Sequence, residues 1–219
     1  MFSVKICGIT GTADALAAAE AGADAVGLNC YAGSPRFCTL ERAREIAQCL
    51  PARVRKVGVF VDATPQQIRA AMATIGLDVV QLHGDQQPEF LRELRPLPVI
   101  KAFRLSGDPA PIVEFLRACH RLQCMPRMAL VDAHQPGQFG GTGATLDWHA
   151  LAAGRRHLGG LPLVLAGGLN PSNVAQAIAL VRPWAVDTAS GVEESPGHKS
   201  VALVRAFVAA AHEALQRLN

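Results

Sequence analysis

Residues 4 to 10 read VKICGIT, a β-branched run that carries a lysine and a cysteine two positions apart. Side chains alternate along a strand, so Lys5 and Cys7 share one face and the apolar Val4 and Ile6 share the other. An ammonium close to a thiol favours the thiolate and draws its pKa down from about 8.5. Cys7 is therefore a candidate base or nucleophile, although a cysteine beside a tight turn also serves as a small buried apolar group. A lysine on the inward face needs a carboxylate, because an unpaired buried charge is costly. Two aspartates sit near strand ends: Asp132 closes ALVD ahead of a long loop, and Asp187 lies in AVDTASG. A carboxyl group there either moves protons or caps a turn. Asp62, after VGVFV, is accounted for by the helix start that follows it.

Three glycine-rich stretches accompany these groups. LAGGLN holds Gly167 and Gly168, and TASGVEESPG holds Ser190 and Gly191. Backbone N–H groups without side-chain bulk around them bind phosphate well, as do helix N-termini. The third stretch, HQPGQFGGTGATLDW, carries Gly137, Gly140, Gly141 and Gly143 and is long enough to close over a ligand as a lid. SPRF supplies Arg36, whose planar guanidinium matches a carboxylate or simply keeps a loop soluble. QLHGD supplies His83, which either donates a hydrogen bond to a ligand or ties down its own loop.

The frame that must hold these residues is an alternation of β-branched runs with Ala/Leu-rich helical stretches. The runs fall at 3–7, 24–28, 56–61, 78–82, 98–103, 128–132, 162–166 and 184–188. Their near-continuous apolar character predicts parallel strands covered on both faces. Thr64, Pro65 and Gln67 form a capping box with proline at the first helical position, and Asn170 with Pro171 is expected to open a later helix in the same way. Gly22 can close the first helix in the left-handed conformation. A last helix over about 199–217 places Val201, Leu203, Val204, Phe207, Val208, Ala211 and Leu215 at helical spacing. Eight strand–helix units without a composition break predict an α/β fold, one (β/α)8 TIM barrel domain spanning 1–219. An open doubly wound sheet is the alternative, but the first turn, CGITGTAD, lacks its G-x-G-x-x-G fingerprint. In a barrel the chemistry sits at the C-terminal strand ends, with phosphate held after strands seven and eight.

The composition narrows the function classes. The 219 residues are 50% hydrophobic and 18% charged, with a net charge of +3 whose signs are interleaved. There is no basic block and no aromatic–basic alternation, so no nucleic-acid partner is expected. No apolar run nears the roughly 18 residues of a spanning helix, and no export signal is apparent, so a cytoplasmic location without membrane contact is expected. The six cysteines then read as thiols. Cys119, His120 and Cys124 lack the second half of a zinc site, so no metal is expected there.

Seven motifs carry a resemblance: KICGIT, SPRF, VGVFV, QLHGD, VDA with PGQFGGTG, LAGGLNPSNV and DTASGVEESPGHKS. They stand in the order found in phosphoribosylanthranilate isomerases, and the chain resembles that family over essentially its whole length. The resemblance implies an Amadori rearrangement of N-(5′-phosphoribosyl)anthranilate to 1-(2-carboxyphenylamino)-1-deoxyribulose 5-phosphate. This is an aldose–ketose isomerisation of tryptophan biosynthesis, run without metal or organic cofactor. It implies Cys7 as general base, Asp132 as general acid and Arg36 as the partner of the anthranilate carboxylate, with Asp187 contacting the sugar or orienting the site; His83 stands beside them as a candidate substrate contact from its place at the end of strand four. The phosphate would rest near Gly167, Gly168, Ser190 and Gly191, with Gly141 and Gly143 in the loop above it. The expected partner is a phosphorylated small molecule, and the protein is expected to act as a monomer. Gly33 and Ala189 depart from the residues the family often has at those positions, and Ala189 leaves the phosphate loop one side-chain donor poorer.

Other readings of the same scaffold make different demands. An epimerase would use paired carboxylates or metal-binding histidines, and an aldolase would use a Schiff-base lysine, for which Lys101 in the fifth strand is the candidate. A phosphate binder without activity would need neither Cys7 nor Asp132.

Overall fold

Eight short strands pair in parallel, each with the next and the last with the first, closing a barrel: β1 (Val4–Cys7), β2 (Ala25–Asn29), β3 (Arg55–Phe60), β4 (Val79–Leu82), β5 (Val99–Leu105), β6 (Met128–Ala133), β7 (Leu163–Leu165) and β8 (Ala185–Thr188). The computed structural model describes residues 1–105, 110–133 and 148–218. Around the barrel lie α1 (Thr12–Glu20), α2 (Leu40–Cys49), α3 (Pro65–Ile75), α4 (Pro88–Leu94), α5 (Ala110–Arg121), α6 (Trp148–Gly154), α7 (Val174–Val181) and α8 (Val201–Gln216). A small antiparallel hairpin, β9 (Glu193–Ser195) with β10 (His198–Lys199), separates β8 from α8.

The strand period of two divides the apolar residues into two cores. Ala25, Val57, Ile100, Ala102, Met128, Leu130, Val164 and Ala185 fill the barrel interior with Phe2 among them. Val4, Ile6, Val26, Leu28, Val131 and Val186 face outward and pack under the helices. The apolar pair of the first strand thus faces the helices, which turns Lys5 and Cys7 inward as the alternation predicts. Closure between β1 and β8 sets Lys5 directly beside Asp187, and the β1–β2 pairing sets Cys7 beside Gly27.

The capping box at Thr64 and Gln67 forms as predicted, and Gly22 closes the first helical segment at φ 95°. Two helix expectations need correction. The helix expected at Asn170–Pro171 begins only at Val174, with Asn173 at its N-cap. The Asn170 side chain instead accepts from the Ser172 N–H at 2.9 Å and from its hydroxyl at 2.6 Å, a turn that competes with helix initiation. In α8, Val201 and Leu203 are exposed, while Val204, Phe207, Val208, Ala211 and Ala214 make the buried stripe. The spacing was right and its first turn was over-counted. No described helix is long and apolar enough to cross a membrane.

Candidate active site

The residues singled out as Cys7, Arg36, His83, Asp132, Gly167, Gly168, Asp187 and Ser190 line one pocket at the C-terminal mouth of the barrel. They reach it from six strand ends, β1, β2, β4, β6, β7 and β8, which is how distant parts of the chain become neighbours.

Lys5 lies one layer below the rim and is fully buried. Its Nζ donates to Asp187 Oδ1 at 2.9 Å, the carboxylate that the inward-facing lysine required. Burial opposes the Lys5 charge, but Asp187 and Cys7 outweigh it and hold the ammonium above its ordinary range. Burial also pushes the Asp187 carboxyl upward, against Lys5. The short contact favours the charged pair, since a charge-assisted bond is the stronger one. Gly27 leaves room for this cluster: a Cβ there would stand 2.6 Å from Cys7 Sγ and 3.1 Å from Lys5 Nζ. For Cys7 the net direction differs from the expectation. Burial pushes the thiol above its ordinary range, and Lys5 and Lys199 pull it back only in part. Desolvation of a charged sulfur inside the barrel outweighs the nearby ammonium.

Arg36 follows a turn built by Ser34, whose Oγ accepts from the Arg36 N–H at 3.1 Å and from Asn29 Nδ2 at 2.9 Å. Its side chain runs across Gly8, where a Cβ would overlap it and where φ is 73°. The glycine after the catalytic-candidate cysteine is thus a passage for the arginine. The guanidinium meets Glu193 through two bonds, Nε to Oε1 at 2.8 Å and Nη2 to Oε2 at 2.6 Å. Lys199 Nζ donates to the same Oε1 at 2.7 Å. Neither Glu193 nor Lys199 was singled out from the sequence, where this stretch supplied only Ser190 and Gly191 as candidates.

Asp132 sits at the rim beside His83, whose Nε2 is 3.6 Å from Asp132 Oδ2. Burial, with the positive charges of Arg104, Lys5 and Lys101, drives His83 down to about 4. His83 is therefore neutral near pH 7, and its contact with Asp132 is polar rather than an ion pair. Below it Gln81, also missed from sequence, is buried in the pocket floor, with Nε2 3.4 Å from His83 Nδ1 and a buried Oε1 that meets no donor among the described residues.

The two glycine turns adjoin each other. Gly167 and Gly168 adopt φ of 87° and 67°. Asn173 Nδ2 donates to the Gly168 carbonyl at 3.0 Å, and Thr188 Oγ1 donates to the Leu169 carbonyl at 2.6 Å, which ties this turn to the end of β8. Among the described residues the Gly167 and Gly168 N–H groups meet no backbone acceptor. Gly191 packs against the Leu169 carbonyl, so close that a Cβ would strike it. Gly141 and Gly143, with the expected lid, lie outside the described residues.

Lys101 lies on the opposite face of β5 from Ile100 and Ala102, which are in the barrel core. It does not line the mouth, so an aldolase-type Schiff base has no lysine there from this position. Cys119 and Cys124 are buried near the end of α5, where Cys124 Sγ donates to the Pro88 carbonyl at 3.3 Å, while His120 is exposed. Among the described residues no three His, Cys, Asp or Glu side chains gather as a metal set.

Comparison with known proteins identifies the family. Residues 4–210 match the family model of N-(5′-phosphoribosyl)anthranilate (PRA) isomerase. The isomerase of that name from Rubrobacter xylanophilus is 45% identical over 215 residues, covering 96% of this chain and 99% of the relative. The one from Myxococcus xanthus is 47% identical over 208 residues, 95% of each. The crystal structure of phosphoribosyl anthranilate isomerase from Thermotoga maritima superposes with a TM-score of 0.87 at 39% identity, covering 97% of this chain and all of that one. A further solved isomerase, in complex with reduced 1-(o-carboxyphenylamino)-1-deoxyribulose 5-phosphate, gives a TM-score of 0.83 at 38% identity. With the family model spanning nearly the whole barrel and full-length relatives above 40% identity, the chain belongs to the N-(5′-phosphoribosyl)anthranilate isomerase family.

Proposed function

We propose that this chain isomerises N-(5′-phosphoribosyl)anthranilate to 1-(2-carboxyphenylamino)-1-deoxyribulose 5-phosphate at the barrel mouth, with Asp132 as general acid and Cys7 as general base. The observation that carries the reading is one pocket lined by a thiol, a carboxyl group, an arginine and two glycine turns at adjacent strand ends. The related isomerase holding a reduced product analogue supports the substrate class, a sugar phosphate joined to a carboxyphenylamine.

The chemistry assigns each group a task. Asp132 gives a proton to the ribose ring oxygen, the C1′–O bond breaks, and the anthranilate nitrogen takes up the positive charge as an iminium. That charge acidifies the C2′ proton, which Cys7 removes. The electron pair flows into an enolamine, and tautomerisation yields the ketone. The Gly167–Gly168 turn and Ser190 hold the phosphoryl group through backbone donors, and Arg36 holds the anthranilate carboxylate. The base needs a thiolate that burial disfavours, so Lys5 matters: it is the cation that favours the thiolate most strongly, and Asp187 keeps it charged. Asp187 in this reading acts through Lys5, in addition to bordering the sugar site.

The test is turnover followed by the loss of substrate fluorescence. Cys7→Ser and Asp132→Asn should each lower kcat by about a hundredfold to ten-thousandfold, the range of general acid–base catalysis. Arg36→Met should mainly raise KM. Near wild-type turnover in either of the first two variants overturns its assignment.

A further inference from the structure

The hairpin of β9 and β10 lies outside the barrel frame and contributes little to either core, yet it delivers two of the most enclosed charged side chains near the mouth. Glu193 and Lys199 stand opposite each other in its register, with side chains 4% and 1% exposed. Glu193 Oε1 accepts from Arg36 Nε, from Lys199 Nζ and from the Gly197 N–H at 3.2 Å, and Oε2 accepts from Arg36 Nη2. Lys199 Nζ also donates to the Ala189 carbonyl at 3.0 Å, which anchors the hairpin to the end of β8. From the other side Thr10 Oγ1 donates to the Gly197 carbonyl at 2.6 Å, joining the hairpin to the loop that follows Cys7.

The geometry of the arginine gives this arrangement a purpose. A guanidinium has a side edge, made by Nε and one Nη, and an end edge, made by both Nη atoms. Glu193 takes the side edge, so the end edge stays available to a second carboxylate. The charges also matter. An Arg36–Glu193 pair alone is neutral overall and would draw no anion. Lys199 restores a net positive charge to the trio while itself remaining buried.

We infer that Glu193, backed by Lys199, is a positioning residue for substrate specificity: it fixes Arg36 so that its end edge meets the carboxylate on the substrate's aryl ring. This deepens the proposed function and rests on the reading that Arg36 holds that carboxylate. Glu193 touches no reacting atom and acts only through the arginine. The hairpin is then the part of the molecule that makes the mouth prefer an amine bearing a carboxylate over the same amine without one.

The experiment compares two substrates, N-(5′-phosphoribosyl)anthranilate and N-(5′-phosphoribosyl)aniline, which lacks the carboxylate. The readout is the ratio of their kcat/KM values in wild type, Glu193→Gln, Arg36→Met and the double variant. Glu193→Gln should lower the ratio about ten- to a hundredfold, the span of one charge-assisted hydrogen bond, with the loss in KM for the anthranilate substrate. Arg36→Met should lower it at least as far, and adding Glu193→Gln to Arg36→Met should change nothing more. Should Glu193→Gln fail to fold, Glu193→Asp, which keeps the charge but shortens the reach, is read the same way. A lowered ratio in Arg36→Met beside a wild-type ratio in the glutamate variant overturns this inference and leaves the proposed function standing. A wild-type ratio in Arg36→Met overturns the arginine reading and this inference with it. An equal loss on both substrates in Glu193→Gln assigns the hairpin a purely structural role and also overturns the inference.

Discussion

Two lysines buried in the same sheet have opposite surroundings. Lys5, on the inner face of β1, meets Asp187 in register on β8 and is held above its ordinary range. Lys101, on the outer face of β5, donates to the Gly84 carbonyl at 2.6 Å and the Ala102 carbonyl at 3.1 Å, and lies 5.6 and 5.8 Å from the Phe103 and Phe115 ring centroids. Burial draws it down to about 8. Carbonyl dipoles and ring faces solvate an ammonium less well than water does, whereas a formal carboxylate at contact distance can replace that water. Burial alone therefore does not decide whether a lysine keeps its charge; the partner at contact distance does. Lys5 keeps its charge beside the Cys7 sulfur, while Lys101 ties down the loop that follows His83.

Breaking the inner pair should have the largest effect. Lys5→Met leaves Asp187 buried without its cation, and such a loss costs about 3–5 kcal/mol in urea unfolding. Asp187→Leu added to Lys5→Met should recover most of that stability, and turnover should stay low in both, because Cys7 has lost its cation. Full activity in the double variant would remove Lys5 from the mechanism.

The outer lysine should behave in the reverse sense. Its folded pKa lies below the unfolded value, so between about pH 8 and 10.5 the unfolded chain binds more protons and stability rises with pH. The contribution is at most about 3 kcal/mol, from some 2.5 units at 1.36 kcal/mol each. Comparison of wild type with Lys101→Met across that window should show the slope reduced by this contribution in the variant, while the buried thiols and Lys199 titrate alike in both, and the variant should retain turnover.

His83 gives a smaller effect in acid. Held near 4 against an unfolded value of about 6.5, it contributes no penalty above the upper value, and stability falls as pH drops between the two. The loss is about 1–3 kcal/mol for a partly exposed ring, and His83→Gln should remove that portion of the acid slope. The smallest change is Thr64→Ala, which removes the exposed capping box at the start of α3. It should cost about 1 kcal/mol in a thermal melt and leave turnover alone, separating general destabilisation from loss of the inner charge.

How much of this was legible from sequence follows the range of each interaction. The inward face of Lys5 and Cys7 and the Thr64 cap depend on neighbours a few residues away, so alternation and spacing revealed them. The start of α7 was misplaced because Asn170 prefers its own local turn. Glu193 was invisible because its partner Arg36 is 157 positions distant and only barrel closure brings them together. The net direction for Cys7 was misread because the ammonium is written in the sequence and the depth of burial is not.

The central claim, that the charge of Lys5 makes a buried Cys7 usable as a base, is tested most directly by titrating that one thiol. The difference in thiolate absorbance between wild type and Cys7→Ser isolates it from the other cysteines, and the same difference can be taken in a Lys5→Met background with Asp187→Leu present. Lys199, Arg36 and Asp187 also act on this sulfur, so Lys199 and Arg36 are kept in every protein compared. Removing Lys5 and Asp187 together should raise the Cys7 midpoint, because Lys5 lowers it more than Asp187 raises it, and should move the base-dependent limb of kcat/KM upward with it. A midpoint and a limb that both stay where they are in wild type would contradict it.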